Sequence, residues 1–240
     1  MDHPLPVVFR AFDALFLPWM RRHIAGVHIT GLPKPHQLTR PLILVANHVS
    51  WWDGFLLRRV QRHLRPDAPM HTVMLERELS KWPVLRLLGG IGIDPDHPTT
   101  VVQSIRVLEE RLERRRDSVV LYFPQGHIWP SQKRPLGFHR GIELFAERLP
   151  PADILPVAIH FEPMNTAAPH AFIAADRPVS ATSVTRTDLE VAVERQLDAI
   201  AALLADHGED SLAFWPGMHE SLPTPIRPRR TMLSLGERRS

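Results

Sequence analysis

Four short apolar runs constrain most strongly what this chain can fold into: PLILVA at 41–46, TVML at 72–75, SVVLYF at 118–123 and ILPVAIH at 154–160. Each is too short for a packed helix, so each reads as a buried strand. Helical patterns lie between and after them. Over 99–116, Val102, Ile105, Leu108 and Leu112 share one face while Glu109, Glu110, Arg111 and Arg114 fall elsewhere, which predicts an amphipathic helix covering a sheet. Over 188–206, Val191, Val193, Leu197, Ile200, Leu203 and Leu204 follow a Thr187–Glu190 pair spaced like a capping box. Strands alternating with helices in this way predict an α/β fold, a mixed and largely parallel sheet flanked by helices.

The chain of 240 residues is long enough for one sizeable core, placed here over 24–210. Ahead of it, residues 5–20 mix Leu, Val, Phe and Trp with Arg10 and Asp13, and run into Arg21 and Arg22. Residues 1–23 therefore read as an amphipathic helix that lies in a membrane interface or packs on the protein's own core. No run approaches the roughly 18 consecutive apolar residues of a spanning helix. After the core, 211–240 reads as a flexible basic tail, with Arg227, Arg229, Arg230, Arg238 and Arg239 among prolines. No secretory leader pattern opens the chain.

The chain has no cysteine, which excludes disulfides, thiolate metal sites and a catalytic thiol. A net charge of +3 with a pI near 9.9 suits an anionic membrane surface, nucleic acid or an anionic substrate without separating them. Nucleic acid is not expected as a partner, since no interleaved basic and aromatic motif or zinc finger accompanies the arginines. G-x-S-x-G, the P-loop, HExxH and a complete GxGxxG are also absent, and Gly90 and Gly92 do not complete a dinucleotide fingerprint.

What carries chemistry is the junction after the first strand, Asn47-His48-Val49-Ser50-Trp51-Trp52-Asp53. With 14 histidines in the chain, about one His-x4-Asp pair arises by chance, so the spacing alone proves nothing. Two bland readings compete: Ser50-x-x-Asp53 as a helix-start signal, and His48 as a satisfied strand-end histidine. In the functional reading, His48 in the strand-to-helix loop meets Asp53 on the first helical turn. The carboxylate fixes the imidazole tautomer, and the other ring nitrogen is left to take a proton from a hydroxyl. With no cysteine and no elbow serine, the natural reaction is direct attack by the substrate hydroxyl.

The block NHVSWWD is similar to the NHxSxxD block of the glycerolipid acyltransferases, the 1-acylglycerol-3-phosphate acyltransferase family. Three later blocks resemble that family in the same order. They are Arg77-Glu78-Leu79 with Trp82-Pro83 and Gly89-Gly90-Ile91-Gly92-Ile93-Asp94; Phe123-Pro124-Gln125-Gly126 with Gly137-Phe138-His139-Arg140-Gly141; and Leu155-Pro156-Val157-Ala158-Ile159. The resemblance covers roughly residues 20–160. It implies an acyltransferase in which His48 and Asp53 are catalytic and Arg77, Gln125, Gly126, His139 and Arg140 bind substrate. An acyl-CoA or acyl carrier protein thioester serves as cosubstrate, no other cofactor or metal is expected, and the acceptor is a lysophospholipid-like lipid. The enzyme would work at the cytoplasmic face of the cell membrane as a peripheral or monotopic protein.

The sequence departs from the family where the acceptor is read. The third block usually reads Phe-Pro-Glu-Gly-Thr-Arg, but here Gln125 replaces the acid and Ile128 holds the arginine position, while Pro95 stands where the second block ends in arginine. Neither residue can form the bidentate contact that arginine gives a phosphate. Arg77, Lys133, Arg134, His139 and Arg140 are the available replacements, unless the loop is simply a solvated basic one. A phosphate-free or glycosylated acceptor is the alternative, and a non-catalytic lipid-binding protein a further one. Trp51, Trp52 and Trp129 flank the motifs as acceptor-lining residues or as core and interface anchors.

Overall fold

Residues 6–220 are described by a computed structural model of the chain. In chain order the elements are α1 (Pro6–His23), β1 (Gly26–Thr30), β2 (Leu42–Ala46), α2 (Asp53–Leu64), β3 (Met70–Leu75), the short α3 (Glu76–Lys81) and α4 (Val84–Leu87), β4 (Gly90–Ile93), α5 (Pro98–Arg114), β5 (Val119–Tyr122), α6 (Gly141–Arg148), β6 (Asp153–Glu162), β7 (His170–Ala175), β8 (Val179–Ser180), α7 (Arg186–His207), α8 (Ser211–Phe214) and β9 (Met218–Glu220). The strands form one sheet in the order β4-β3-β5-β2-β6-β7-β1-β9, with β8 beside β6. From β4 across to β6 every pairing is parallel. Antiparallel pairing enters at β6–β7, β6–β8 and β1–β9, while β1 and β7 run parallel.

The four apolar runs became β2, β3, β5 and β6: β2 and β5 are buried along their whole length and β6 along most of it, as central parallel strands are, while β3 is half-buried toward its end. One face is covered by α5, α6 and α7 through Ile105, Leu108, Leu112, Phe145, Leu189, Val193 and Leu197. The other is covered by α1 and α2 through Phe9, Met20, Leu56, Leu57 and Val60. Full burial of one such side chain contributes about 1.5–3 kcal/mol. The cap of α7 differs from the expected one: Thr185 accepts from the Asp188 backbone N–H and Asp188 bonds back, two residues before Thr187–Glu190. Glu190 instead accepts hydrogen bonds from Gly137 and Phe138.

One sequence expectation changes here. Residues 211–220, placed in a flexible tail, form α8 and β9, and β9 adds a strand to the edge of β1. The rest of that tail, 221–240, lies outside the described residues. The glycines of the second block serve the backbone: Gly89 has φ +84, and a Cβ there would stand 2.1 Å from the Met70 carbonyl oxygen. Only glycine lets the chain turn so tightly into β4.

At the β7–β1–β9 edge three imidazoles form a chain, His28 Nε2 to His170 Nδ1 at 2.9 Å and His28 Nδ1 to His219 Nδ1 at 2.8 Å. Burial, and then the neighbouring His170 and His219, push His28 down to about 4. Its folded value therefore lies below the unfolded one, so the unfolded chain takes up the proton first as pH falls. Stability from this group is complete above the unfolded value of about 6.5 and is lost between there and about 4, a loss on the order of 2–3 kcal/mol. Denaturant unfolding at pH 7 and pH 5 should show this slope in the wild type and a flatter one in His28→Gln. Equal slopes would remove His28 as its source.

Candidate active site

The first candidate residues sit where the parallel strands end. Ala46 closes β2, and Asn47 and His48 follow on the side where open α/β sheets place their sites. Asn47 is fully buried and straddles the β6 backbone, donating to the Ile159 carbonyl at 2.9 Å and accepting from the Ile159 N–H at 2.8 Å. This pins the chain just before it leaves the sheet. Asn47 was not singled out from sequence as a site residue, and its place in the first block was the only signal.

His48 Nδ1 lies 2.7 Å from Asp53 Oδ2. The same carboxylate accepts from the backbone N–H of Val49 at 2.6 Å and of Ser50 at 3.0 Å, and from the Ser50 hydroxyl at 2.6 Å. Every one of these partners donates to Asp53, so Nδ1 carries the imidazole hydrogen and Nε2 carries the lone pair. Asp53 is fully buried and His48 a quarter exposed. The helix-start and catalytic readings are thus realised together: one carboxylate closes the turn into α2 and holds the ring. Phe123 stacks on that ring with centroids 4.5 Å apart, so the imidazole is fixed by a hydrogen bond at one edge and a flat contact on its face.

The loop after β5 grips the same residue through its backbone. Gln125 is almost fully buried; its Oε1 accepts from the His48 N–H at 2.7 Å, and its Nε2 donates to the Leu136 carbonyl at 3.0 Å. Trp129 N–H donates to the His48 carbonyl at 2.8 Å. Gln125 therefore supports His48 rather than facing solvent. An amide suits this position because it must accept at one end and donate at the other, which a carboxylate cannot do. Gly126 takes φ +66 with the His139 ring beside it, opening the loop that carries Trp129.

The remaining candidates lie outward. The guanidinium of Arg140 is 85% exposed and 3.9 Å from Glu143, and Arg77 on α3 is largely exposed and 3.8 Å from Glu78. His139 is exposed, with its backbone N–H bonded to the Pro124 carbonyl. Lys133 places its ammonium 4.2 Å from the centre of the Trp129 ring, whereas Arg134 is engaged by Asp198 and by the Ser131 and Lys133 carbonyls. Ile128, at the family's arginine position, is half exposed. Among the described residues no group of three or more His, Asp or Glu is arranged to hold a metal ion.

Helix α1 docks an aromatic face against this junction. Trp19 contacts Trp51 and Trp52 at 5.2 and 4.6 Å, and Phe12 and Phe16 stack on Phe55 at 5.5 and 5.3 Å. Asp13 pairs with Arg58 and Arg62 of α2. Helix α1 packs on the protein's own core through Phe9 and Met20, while Val7, Leu15, Trp19 and neighbouring Trp51 are exposed. Among the described residues no helix is long and apolar enough to cross a membrane.

The chain matches the acyltransferase family model over residues 26–160, which runs from β1 into β6 and includes His48, Asp53, Phe123 and Gln125. No curated protein sequence matches it. Among solved structures it is similar to the 1-acyl-sn-glycerophosphate (LPA) acyltransferase PlsC from Thermotoga maritima, with 19% identity and a TM-score of 0.51 over 80% of this chain and 78% of that one. At that identity the likeness speaks for the fold.

Proposed function

The chain belongs to the acyltransferase family, and on that premise we propose that it moves a fatty acyl group from acyl-CoA or acyl carrier protein onto the hydroxyl of a 1-acylglycerol-3-phosphate-like lysolipid. The observation that carries the reading is the His48–Asp53 pair, with Nε2 left to the substrate. The acceptor hydroxyl gives its proton to Nε2 as its oxygen attacks the thioester carbonyl. The C–O bond forms, the C–S bond breaks, and the thiolate leaves with the proton returned by His48. Asp53 stabilises the imidazolium between these transfers.

For the acceptor, Arg140 and Lys133 are cations on the loop that holds His48, with the exposed His139 imidazole next to Arg140. A phosphate-free, glycosylated lipid is the second reading, favoured by the apolar Ile128 and the aromatic Trp129 at the place where the family carries arginine. Initial rates of wild type, Arg140→Ala and Ile128→Arg with lysophosphatidate and with a neutral glycolipid separate the two. With a phosphate acceptor, Arg140→Ala should lower kcat/KM by roughly 10- to 100-fold, the value of one charge-assisted contact, with little change in donor KM. Preference for the neutral lipid, with Arg140 indifferent, would establish the second reading.

The outward apolar surface of α1, together with Trp51, supports a peripheral site at a membrane surface. Leu15→Ser with Trp19→Ser should weaken binding to anionic vesicles. Full retention would leave the enzyme reading intact and remove this membrane contact.

A further inference from the structure

A second polar chain stands beside the first, outside the motifs that the sequence brought forward. His160, at the open end of β6 next to the Ile159 that Asn47 grips, is nearly buried. Its Nδ1 lies 2.9 Å from Ser131 Oγ and its Nε2 lies 3.1 Å from Glu162 Oε2. A carboxylate accepts, so Nε2 bears the hydrogen, Nδ1 bears the lone pair, and the Ser131 hydroxyl donates to it. Ser131 lies two residues beyond Trp129, whose N–H holds the His48 carbonyl, and six beyond Gln125, which holds the His48 N–H. The segment gripping both backbone groups of His48 is thus moored to β6 through one side-chain bond.

We propose that Ser131 and His160, with Glu162 orienting the ring, are positioning residues for acyl transfer: they fix the Gln125–Ser131 segment so that His48 is held in its reactive place. This rests on His48 being the base. Loss of the mooring leaves His48, Asp53 and the outward cations in the chain but lets the imidazole drift, and a displacement of about 1 Å in a reacting group can cost as much as a hundredfold in rate. Since only a supporting bond is lost, the expected fall in kcat is about tenfold, with the donor KM unchanged.

The test uses the full chain with an acyl-CoA and whichever lysolipid it accepts, and measures kcat, both KM values and the melting temperature. Ser131→Ala and His160→Gln should each show the tenfold fall while staying folded. His160→Asn puts a polar atom near the place of Nδ1 and should recover most of the loss, whereas Gln serves only the place of Nε2. Ser131→Ala combined with His160→Gln should be no worse than either alone, because both remove one bond. Unchanged kcat in the folded single variants, additive losses, or no difference between Asn and Gln at 160 would overturn the proposal. An acyl group found on Ser131 by intact-mass measurement would overturn it too, since it would make this serine a nucleophile. His48→Ala, run alongside, separates the two readings: if it is active, the base assignment itself fails.

Discussion

Replacing His48 with alanine should lower turnover by roughly two to four orders of magnitude while leaving the melting transition close to that of wild type. The stability half of this expectation comes from the structure. The ring is a quarter exposed, it stacks on Phe123, and its one described side-chain hydrogen bond is to Asp53. The backbone groups of His48, which Gln125 and Trp129 bind, survive the substitution. What disappears is the lone pair on Nε2, the acceptor that the His48–Asp53 pair leaves for the hydroxyl proton. A folded His48→Ala protein with wild-type rates would remove the base from the mechanism.

Asp53→Asn should be nearly as severe in rate but different in kind. The amide oxygen can still accept from Val49, Ser50 and His48 while its NH2 turns to the Ser50 hydroxyl, so the turn into α2 can persist. The negative charge that steadies the imidazolium is lost, and a fall of about 10²- to 10⁴-fold in kcat is expected, as for a triad aspartate changed to asparagine. If Asp53 served only the helix start, the change would cost about 1 kcal/mol of stability and little activity. Measuring kcat and unfolding free energy on the same preparation distinguishes these outcomes, and a large stability loss with retained kcat would return Asp53 to a purely structural role.

The central strands and the catalytic pair were legible because each leaves a local mark. A buried parallel strand needs a continuous apolar run, and a base held by the first turn of a helix needs a fixed short spacing. The edge of the sheet was not legible. β9, at the edge, is Met-His-Glu, since an edge strand does not need the uniform apolar character of a central one, and it reads as tail until its pairing with β1 is seen. The shifted cap of α7 was missed because Thr185–Asp188 and Thr187–Glu190 carry similar signals, and burial of Leu189 and Val193 decides between them. In the site, Gln125 looked like a substrate ligand because it stands at the acid's position in the third block, whereas its burial between His48 and Leu136 appears only when distant segments meet. Ser131 and His160 are 29 residues apart and give no local pattern at all.

Acyl transfer itself is tested most directly by mass spectrometry of the lipids formed when the purified chain is incubated with acyl-CoA and a mixed pool of lysophospholipids and neutral glycolipids. One class of acceptor should gain the mass of the acyl group, with free CoA released in equal amount and both signals lost in His48→Ala. Thioester consumption without an acylated lipid, or acylated lipid formed equally well by His48→Ala, would contradict it.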